Sequence, residues 1–296
     1  MFETIARDTT SGATALTRRA ADILTEALTD SKASDPGEFW TELEALCREL
    51  VAAQRQMAPL VNLAGKALSI AERLVLSGVG SETLKRAVAL ELSTFVNEMD
   101  DEVDVLAREG VASLPACSTV ATLSASECVS AVFKGAAASG RPPTIIAAES
   151  KPAMEGAAQA EKLESAGLSV RVVPDDQLPN LIASCDLVLV GADRVSQEEF
   201  VGKTGVLAAA EAAGAAGVPY VAAATEERLI SAALAPPAED SSGRSLFERV
   251  PLTLVTGLLT GQGLQNREQT AARISKKPVP PSLLRVLFDR TPPTDL

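Results

Sequence analysis

Leu187-Val188-Leu189-Val190-Gly191-Ala192-Asp193-Arg194-Val195 is the stretch on which the fold turns. Four aliphatic residues make a short apolar run, too short for a helix and bounded by a small pair. Gly191 and Ala192 would let a ligand approach the backbone. Asp193 is the first ionisable side chain beyond them. It reads either as a ligand-facing carboxylate or as a cap or turn aspartate.

Similar runs recur on both sides, at 111–116, 144–148, 169–173 and 219–223, with 252–255 as a possible last strand. Ala-rich helical patterns fill the gaps at about 119–139, 153–166, 176–184 and 203–216. Strand–helix alternation at this spacing predicts an α/β fold with a doubly wound, mostly parallel sheet. Turns at Gly140-Arg141-Pro142-Pro143 and around Gly214–Pro219 fit that reading.

The first hundred residues have a different rhythm. Leu16, Ala20, Ile23, Leu24 and Leu28 share one helical face. Phe39, Leu43, Leu46, Cys47 and Leu50 repeat it after the breaker Asp35-Pro36-Gly37. A longer stripe runs through Leu84, Val88, Leu92, Phe95, Val96, Met99, Val103 and Leu106, with Ser81 as expected N-cap and Gly110 as expected stop. The expected organisation is an N-terminal helical domain over 1–109, an α/β domain over 110–264 and a C-terminal extension over 265–296.

Composition removes several chemistries. The 296 residues contain no histidine, and 27 Lys+Arg against 39 Asp+Glu give a formal net charge of −12. A Ser-His-Asp triad, a Cys-His pair and His-rich zinc sites are excluded. The acidic balance and 3% aromatic content argue against nucleic acid as partner. No apolar run reaches the ~18 residues of a membrane helix. Four cysteines with no C-x-x-C pair, and a start with neither basic nor apolar leader, lead us to expect a cytoplasmic protein with reduced thiols and no metal or cofactor.

In an open parallel sheet, ligands bind at the carboxyl ends of the strands. If the first strand is 111–116, its end is Ala116-Cys117-Ser118. Cys117 is then either a thiolate favoured by a helix N-terminus or a small buried residue. Glu149-Ser150-Lys151 ends the second strand. Gly202-Lys203-Thr204-Gly205 opens a helix, where Lys203 beside free amides could hold a phosphate or be a solvated surface lysine. The string Gly257-x-x-x-Gly261-x-Gly263 opens no βαβ unit and is set aside.

Several of these blocks together resemble one superfamily. GADRV (191–195) followed by GKTG (202–205) is similar to its GAD…NK-x-G-T signature. ESKPAMEG (149–156), MAPLVNLA (57–64) and FERVPLTLVTGLLTGQG (247–263) agree with further blocks in order. The superfamily holds the regulatory α, β and δ subunits of translation initiation factor 2B, ribose-1,5-bisphosphate isomerase and methylthioribose-1-phosphate isomerase.

The resemblance implies a helical domain followed by a Rossmann-like domain, and a homodimer or higher homo-oligomer. It implies a sugar-phosphate aldose–ketose isomerase acting on a pentose 1-phosphate. The catalytic pair would be Cys117, placed on the cysteine of a T-H-C-N block, and Asp193. The substrate would be bound by Gly12, Ala13, Ser118, Glu149, Lys151, Gly202 and Lys203. The alternative is a non-catalytic regulatory subunit that binds a nucleotide or sugar phosphate.

Three departures bear on the substrate. An arginine of an R-G-A block is Ser11 here. The arginine of E-T-R-P is Lys151, which keeps the charge but loses the bidentate fork. The asparagine before the lysine is Gly202.

Overall fold

The computed structural model describes residues 1–8, 11–113, 119–235 and 246–288. They form two compact units. The first comprises Met1–Asp100, Ile230–Ala238 and Lys277–Leu296. The second comprises Asp101–Leu229 and Glu239–Lys276.

The first unit is helical: α1 (Glu3–Ala6), α2 (Ala13–Asp30), α3 (Pro36–Ala53), α4 (Ala58–Leu76) and the start of α5 (Ser81–Ser113). The predicted stripes are its core. Leu16, Leu24, Phe39, Leu43, Cys47, Leu50, Leu84, Val88 and Leu92 are all inaccessible to solvent. Each such aliphatic or aromatic side chain contributes roughly 1.5–3 kcal/mol. Asp35 starts α3 by accepting the amide hydrogens of Gly37 and Glu38 at 2.8 and 3.0 Å, with Pro36 in the first turn.

Two expected boundaries of α5 move. Its first turn closes on the Gly80 carbonyl, which accepts from Thr83 and Leu84. Ser81 is the first helical residue, and its hydroxyl donates to the Ser34 carbonyl. Gly110 does not stop the helix, which runs on to Ser113. A Cβ at Gly110 would lie 2.8 Å from Val132 and 3.0 Å from Leu259. Glycine is there for close packing, not for a turn.

In the second unit, seven strands among the described residues form one sheet. They are β1 (Thr119–Thr122), β2 (Thr144–Ala148), β3 (Ser169–Val173), β4 (Leu187–Gly191), β7 (Tyr220–Ala223), β9 (Gly257–Thr260) and β10 (Gly263–Gln265). Their order is β10-β9-β7-β4-β1-β2-β3, parallel except for β10 against β9. A second, antiparallel sheet holds β5 (Arg194–Val195), β6 (Glu199–Lys203) and β8 (Phe247–Pro251), in the order β5-β6-β8. The helices are α6 (Glu127–Ala138), α7 (Glu155–Ser165), α8 (Leu178–Leu181), α9 (Val206–Ala216) and α10 (Arg267–Ile274). Another, α11 (Pro281–Phe288), belongs to the first unit.

The expected strands at 144–148 and 169–173 are β2 and β3. Two others are corrected. Of the expected strand at 111–116, residues 111–113 are helical, in α5, residues 114–116 lie outside the described residues, and the first strand among the described residues is Thr119–Thr122. The run at 252–255 is a single 3-10 turn, Leu252–Leu254, between β8 and β9. In both places apolar residues continue a neighbouring element, and periodicity over so few residues cannot separate helix from strand.

The apolar layers explain why the sheet lies between helices. Ala121, Val188, Val190, Tyr220 and Ala222 face one cluster, with Val206, Ala209 and Ala213 of α9. Val120, Leu187, Leu189 and Val221 face the other, with Val129, Val132 and Phe133 of α6. Alternate residues of one strand thus serve two cores.

Candidate functional site

The sheet reverses its winding between β1 and β4: β2 and β3 lie on one side, β7 and β9 on the other. Ligands of such sheets bind at the carboxyl ends of the two central strands. Here those ends carry Thr122-Leu123-Ser124 and Gly191-Ala192-Asp193.

The two ends touch. A Cβ on Gly191 would collide with the side chain of Ser126, the residue that caps α6. Gly191 must therefore be glycine for β4 to run this close to the start of α6. Asp193 follows, its amide donating to the Val201 carbonyl at 2.8 Å, which ties it to β6. Burial pushes the Asp193 carboxyl above the usual carboxylate range, while Arg228 and Lys203 pull it back. Arg228 is itself buried and donates to the Ala192 carbonyl at 2.7 Å.

A layer of polar side chains surrounds these ends. Lys203 Nζ lies 2.7 Å from Glu155 Oε1, with both side chains buried. The Lys203 ammonium also sits 5.8 Å above the Phe247 ring. The Ser126 amide donates to Gln159 Oε1 at 2.8 Å, and the Ser124 amide to Ser150 Oγ at 2.8 Å. Ser124 and Ser150 are both left-handed, at φ 62° and 61°. Asp175 accepts the amides of Ser150 and Lys151 at 2.7 and 2.8 Å, joining the ends of β2 and β3. Glu155 Oε2, Gln159 Nε2 and Thr122 Oγ1 are buried and have no hydrogen-bond partner among the described residues.

The predicted residues divide accordingly. Asp193, Glu149, Lys151, Gly202 and Lys203 all lie in the second unit, at or just beyond the ends of β4, β2 and β6. Glu149 and Lys151 pair with each other at 2.8 Å, and Lys151 is largely exposed. Gly12 caps α2, and Ala13 is its buried first residue, both in the helical unit. Cys117 and Ser118 lie outside the described residues.

The reason for choosing Cys117 does not hold, because it precedes β1 in the chain and does not follow it. The residue just past the carboxyl end of β1 is Ser124, in Thr122-Leu123-Ser124-Ala125. Its side chain offers a hydroxyl at the strand end, where a thiol was expected. Cys47, Cys128 and Cys185 are buried free thiols, as packing roles require.

Lys203 also differs from expectation. It ends β6 and does not open a helix. The start of α9, three residues later, is capped: Glu248 Oε2 accepts the amides of Gly205 and Leu207 at 2.9 and 3.3 Å. Sequence reasoning missed Ser124, Glu155, Gln159, Arg228 and Glu248. The last four take their places through partners distant in the chain: Glu155 through Lys203, Gln159 through Ser126, Arg228 through Ala192 and Glu248 through Gly205.

Ionisable side chains thus gather at the switch point of a doubly wound α/β unit, the place where such sheets carry their ligand sites. More narrowly, the chain belongs to the Initiation factor 2 subunit family (IF-2B), whose model matches residues 9–235. It is 25% identical over 224 residues to ribose 1,5-bisphosphate isomerase of Methanocaldococcus jannaschii, covering 75% of this chain and 70% of that protein. It is 30% identical over 219 residues to a Pyrococcus abyssi protein named translation initiation factor eIF-2B subunit 2-like, covering 72% and 73%.

Against three proteins named ribose 1,5-bisphosphate isomerase the chain spans 58–70% of their length. The fold matches the crystal structure of Pyrococcus horikoshii translation initiation factor eIF-2B with a TM-score of 0.75. That match has 22% identity and covers 88% of this chain and 94% of that one. Among the described residues, no helix is long and apolar enough to cross a membrane, and no group of His, Cys, Asp and Glu could hold a metal ion.

Proposed function

We propose that the chain binds a phosphorylated five-carbon sugar at the carboxyl edge of its parallel sheet and isomerises it between aldose and ketose. The observation that carries this is Asp193: a carboxyl at the switch point whose affinity for a proton is raised by burial. Such a group can both give and take a proton.

The reaction opens the sugar ring: hydrogen moves from C2 to C1 as the bond from C1 to the ring oxygen breaks, the ring oxygen takes a proton, and the C2 hydroxyl gives one up as C2 becomes the carbonyl, so C1 is reduced as C2 is oxidised. One group must act at carbon and one at oxygen. Asp193 is proposed as one of them; the family resemblance alone assigns the other to Cys117, which precedes β1 in the chain, while the side chain just past the carboxyl end of β1 is Ser124. Glu149, Lys151, Gly202 and Lys203 border the same edge. Gly12, Ala13 and Ser118 are proposed as ligand contacts from the resemblance alone. Relatives named as ribose 1,5-bisphosphate isomerases support the reaction class, and assembly into a homodimer or larger homo-oligomer goes with it.

A second reading is favoured by Ser124. With a hydroxyl past the end of β1, the chain would bind the sugar phosphate without turning it over and serve as a regulatory subunit. Incubation with aldopentose 1-phosphates, followed by 13C and 31P NMR, separates the two. Ketose formation that is lost in Cys117→Ser and in Asp193→Asn supports the isomerase. Binding without conversion supports the regulatory reading, and absence of binding contradicts both.

A further inference from the structure

A single 3-10 turn, Glu226–Arg228, follows β7 at its carboxyl end and is held at both of its own ends. At its start the Glu226 amide donates to Glu102 Oε2 of α5 at 2.8 Å. At its finish Arg228 donates to the Ala192 carbonyl at 2.7 Å, one residue before Asp193. One turn thus joins a carboxyl on α5 to the end of β4. We propose that Glu102 is a positioning residue and a pH-sensitive latch: on its ionisation the turn Glu226–Arg228 loosens and Arg228 lets go of the end of β4. What this means for catalysis rests on the reading of Asp193 above; the latch itself does not.

The groups facing Glu102 come from several elements. The turn brings Glu226 and Glu227, the latter 3.6 Å from Arg228. Helix α10 brings Arg273, which pairs with Glu226 and donates to Thr260 Oγ1 at 3.0 Å. The link between β9 and β10, Thr260–Gly263, carries no ionisable residue but presses close: a Cβ on Gly261 would lie 3.3 Å from Glu102 Cγ and Oε1. On α5 itself, Glu109 lies against the same link, with Oε2 3.2 Å from a Cβ on Gly263.

Glu102, Glu226 and Glu227 therefore share two guanidiniums, those of Arg228 and Arg273. With Glu102 neutral the charges balance. With Glu102 ionised a negative charge is left over where water reaches poorly, which is unfavourable. Burial, opposed by the Glu226 amide and reinforced by Glu227 and Glu226, pushes Glu102 up to about 7. The change thus falls near neutral pH.

An ionised Glu102 gains from water, and a neighbour must yield to admit it. Strand β9 is laddered to β7 and β10, and α10 starts on a capping box at Asn266. The turn is one short 3-10 element with no ladder, so it yields first. Its movement withdraws Arg228 from the Ala192 carbonyl, and with it the cation that pulls the Asp193 carboxyl back toward its usual range.

The test is hydrogen exchange read by mass spectrometry at about pH 5.5 and about pH 8.5, each rate divided by the intrinsic rate at that pH. In wild type, protection at 225–229 and at 192–194 is expected to fall about tenfold more than at β2 as pH rises. Glu102→Gln, which cannot ionise, is expected to show no such extra fall. Should that variant not fold, the wild-type comparison of the three segments decides. A fall no larger than that at β2, a fall at 225–229 alone, or an equal fall in Glu102→Gln overturns the latch. Sugar turnover is not read, so the proposed function stands or falls separately.

Discussion

Lys203 Nζ and Glu155 Oε1 stand 2.7 Å apart, with 9% and 6% of their side chains exposed, at the point where β6 meets the first turn of α7. The lysine therefore carries a compensated charge and is not a solvated hook. Removing one partner of a buried pair leaves a bare charge, which costs ~3–5 kcal/mol. Glu155→Leu and Lys203→Met should each lose about that much in urea denaturation. The double variant should lose clearly less than the sum, with a coupling of ~2 kcal/mol or more. Additive losses would show that the pair is not coupled.

Gly156 is fixed by a different force. A Cβ there would run into the Ala148 carbonyl oxygen at the end of β2, and into Ser150 Oγ. Backbone cannot step aside as a flexible side chain can. Gly156→Ala should cost ~2–3 kcal/mol, read as a lower urea midpoint. Gly214→Ala, with nothing within 4 Å of its added carbon, is the control and should cost nothing measurable or stabilise slightly.

Glu102 makes stability depend on pH. Its Oε2 accepts the Glu226 amide at 2.8 Å. Burial pushes its carboxyl up to about 7, the amide bond opposes this, Glu227 and Glu226 add to it, and Arg273 opposes it. Arg273 in turn pairs with Glu226. A carboxyl raised in the folded state holds its proton longer than in the unfolded chain. Its contribution is full below pH 4.5 and is lost as pH rises through about 7. After discounting for partial exposure, the loss is on the order of 1 kcal/mol. Urea midpoints measured from pH 4 to 8.5 should fall over that window, and Glu102→Gln should remove this part of the decline. An unchanged slope in the variant would refute the assignment.

The sequence showed some of this and concealed the rest for physical reasons. Runs such as 144–148 and 169–173 were legible because they are short, apolar and bounded by turn residues. The first strand was misplaced because Val111 and Ala112 extend α5, and Thr119-Val120-Ala121-Thr122 mixes threonine into a buried strand. That slip moved the expected strand end from Ser124 to Cys117. Asp193 was legible because it follows a clear strand directly. Glu155 and Glu248 were not, because their roles arise from contacts 48 and 43 residues away, with Lys203 and Gly205. No local pattern reports such pairs.

The central claim is that Asp193 works on a phosphorylated pentose at the switch point of the sheet. The most direct measurement is 31P NMR of ribose 1-phosphate with wild type and with Asp193→Asn, alongside titration for affinity. The account predicts ketose phosphate with wild type. With Asp193→Asn it predicts at least ~100-fold slower conversion, with affinity within about tenfold of wild type. Undiminished conversion by Asp193→Asn, or no binding by wild type, would contradict it.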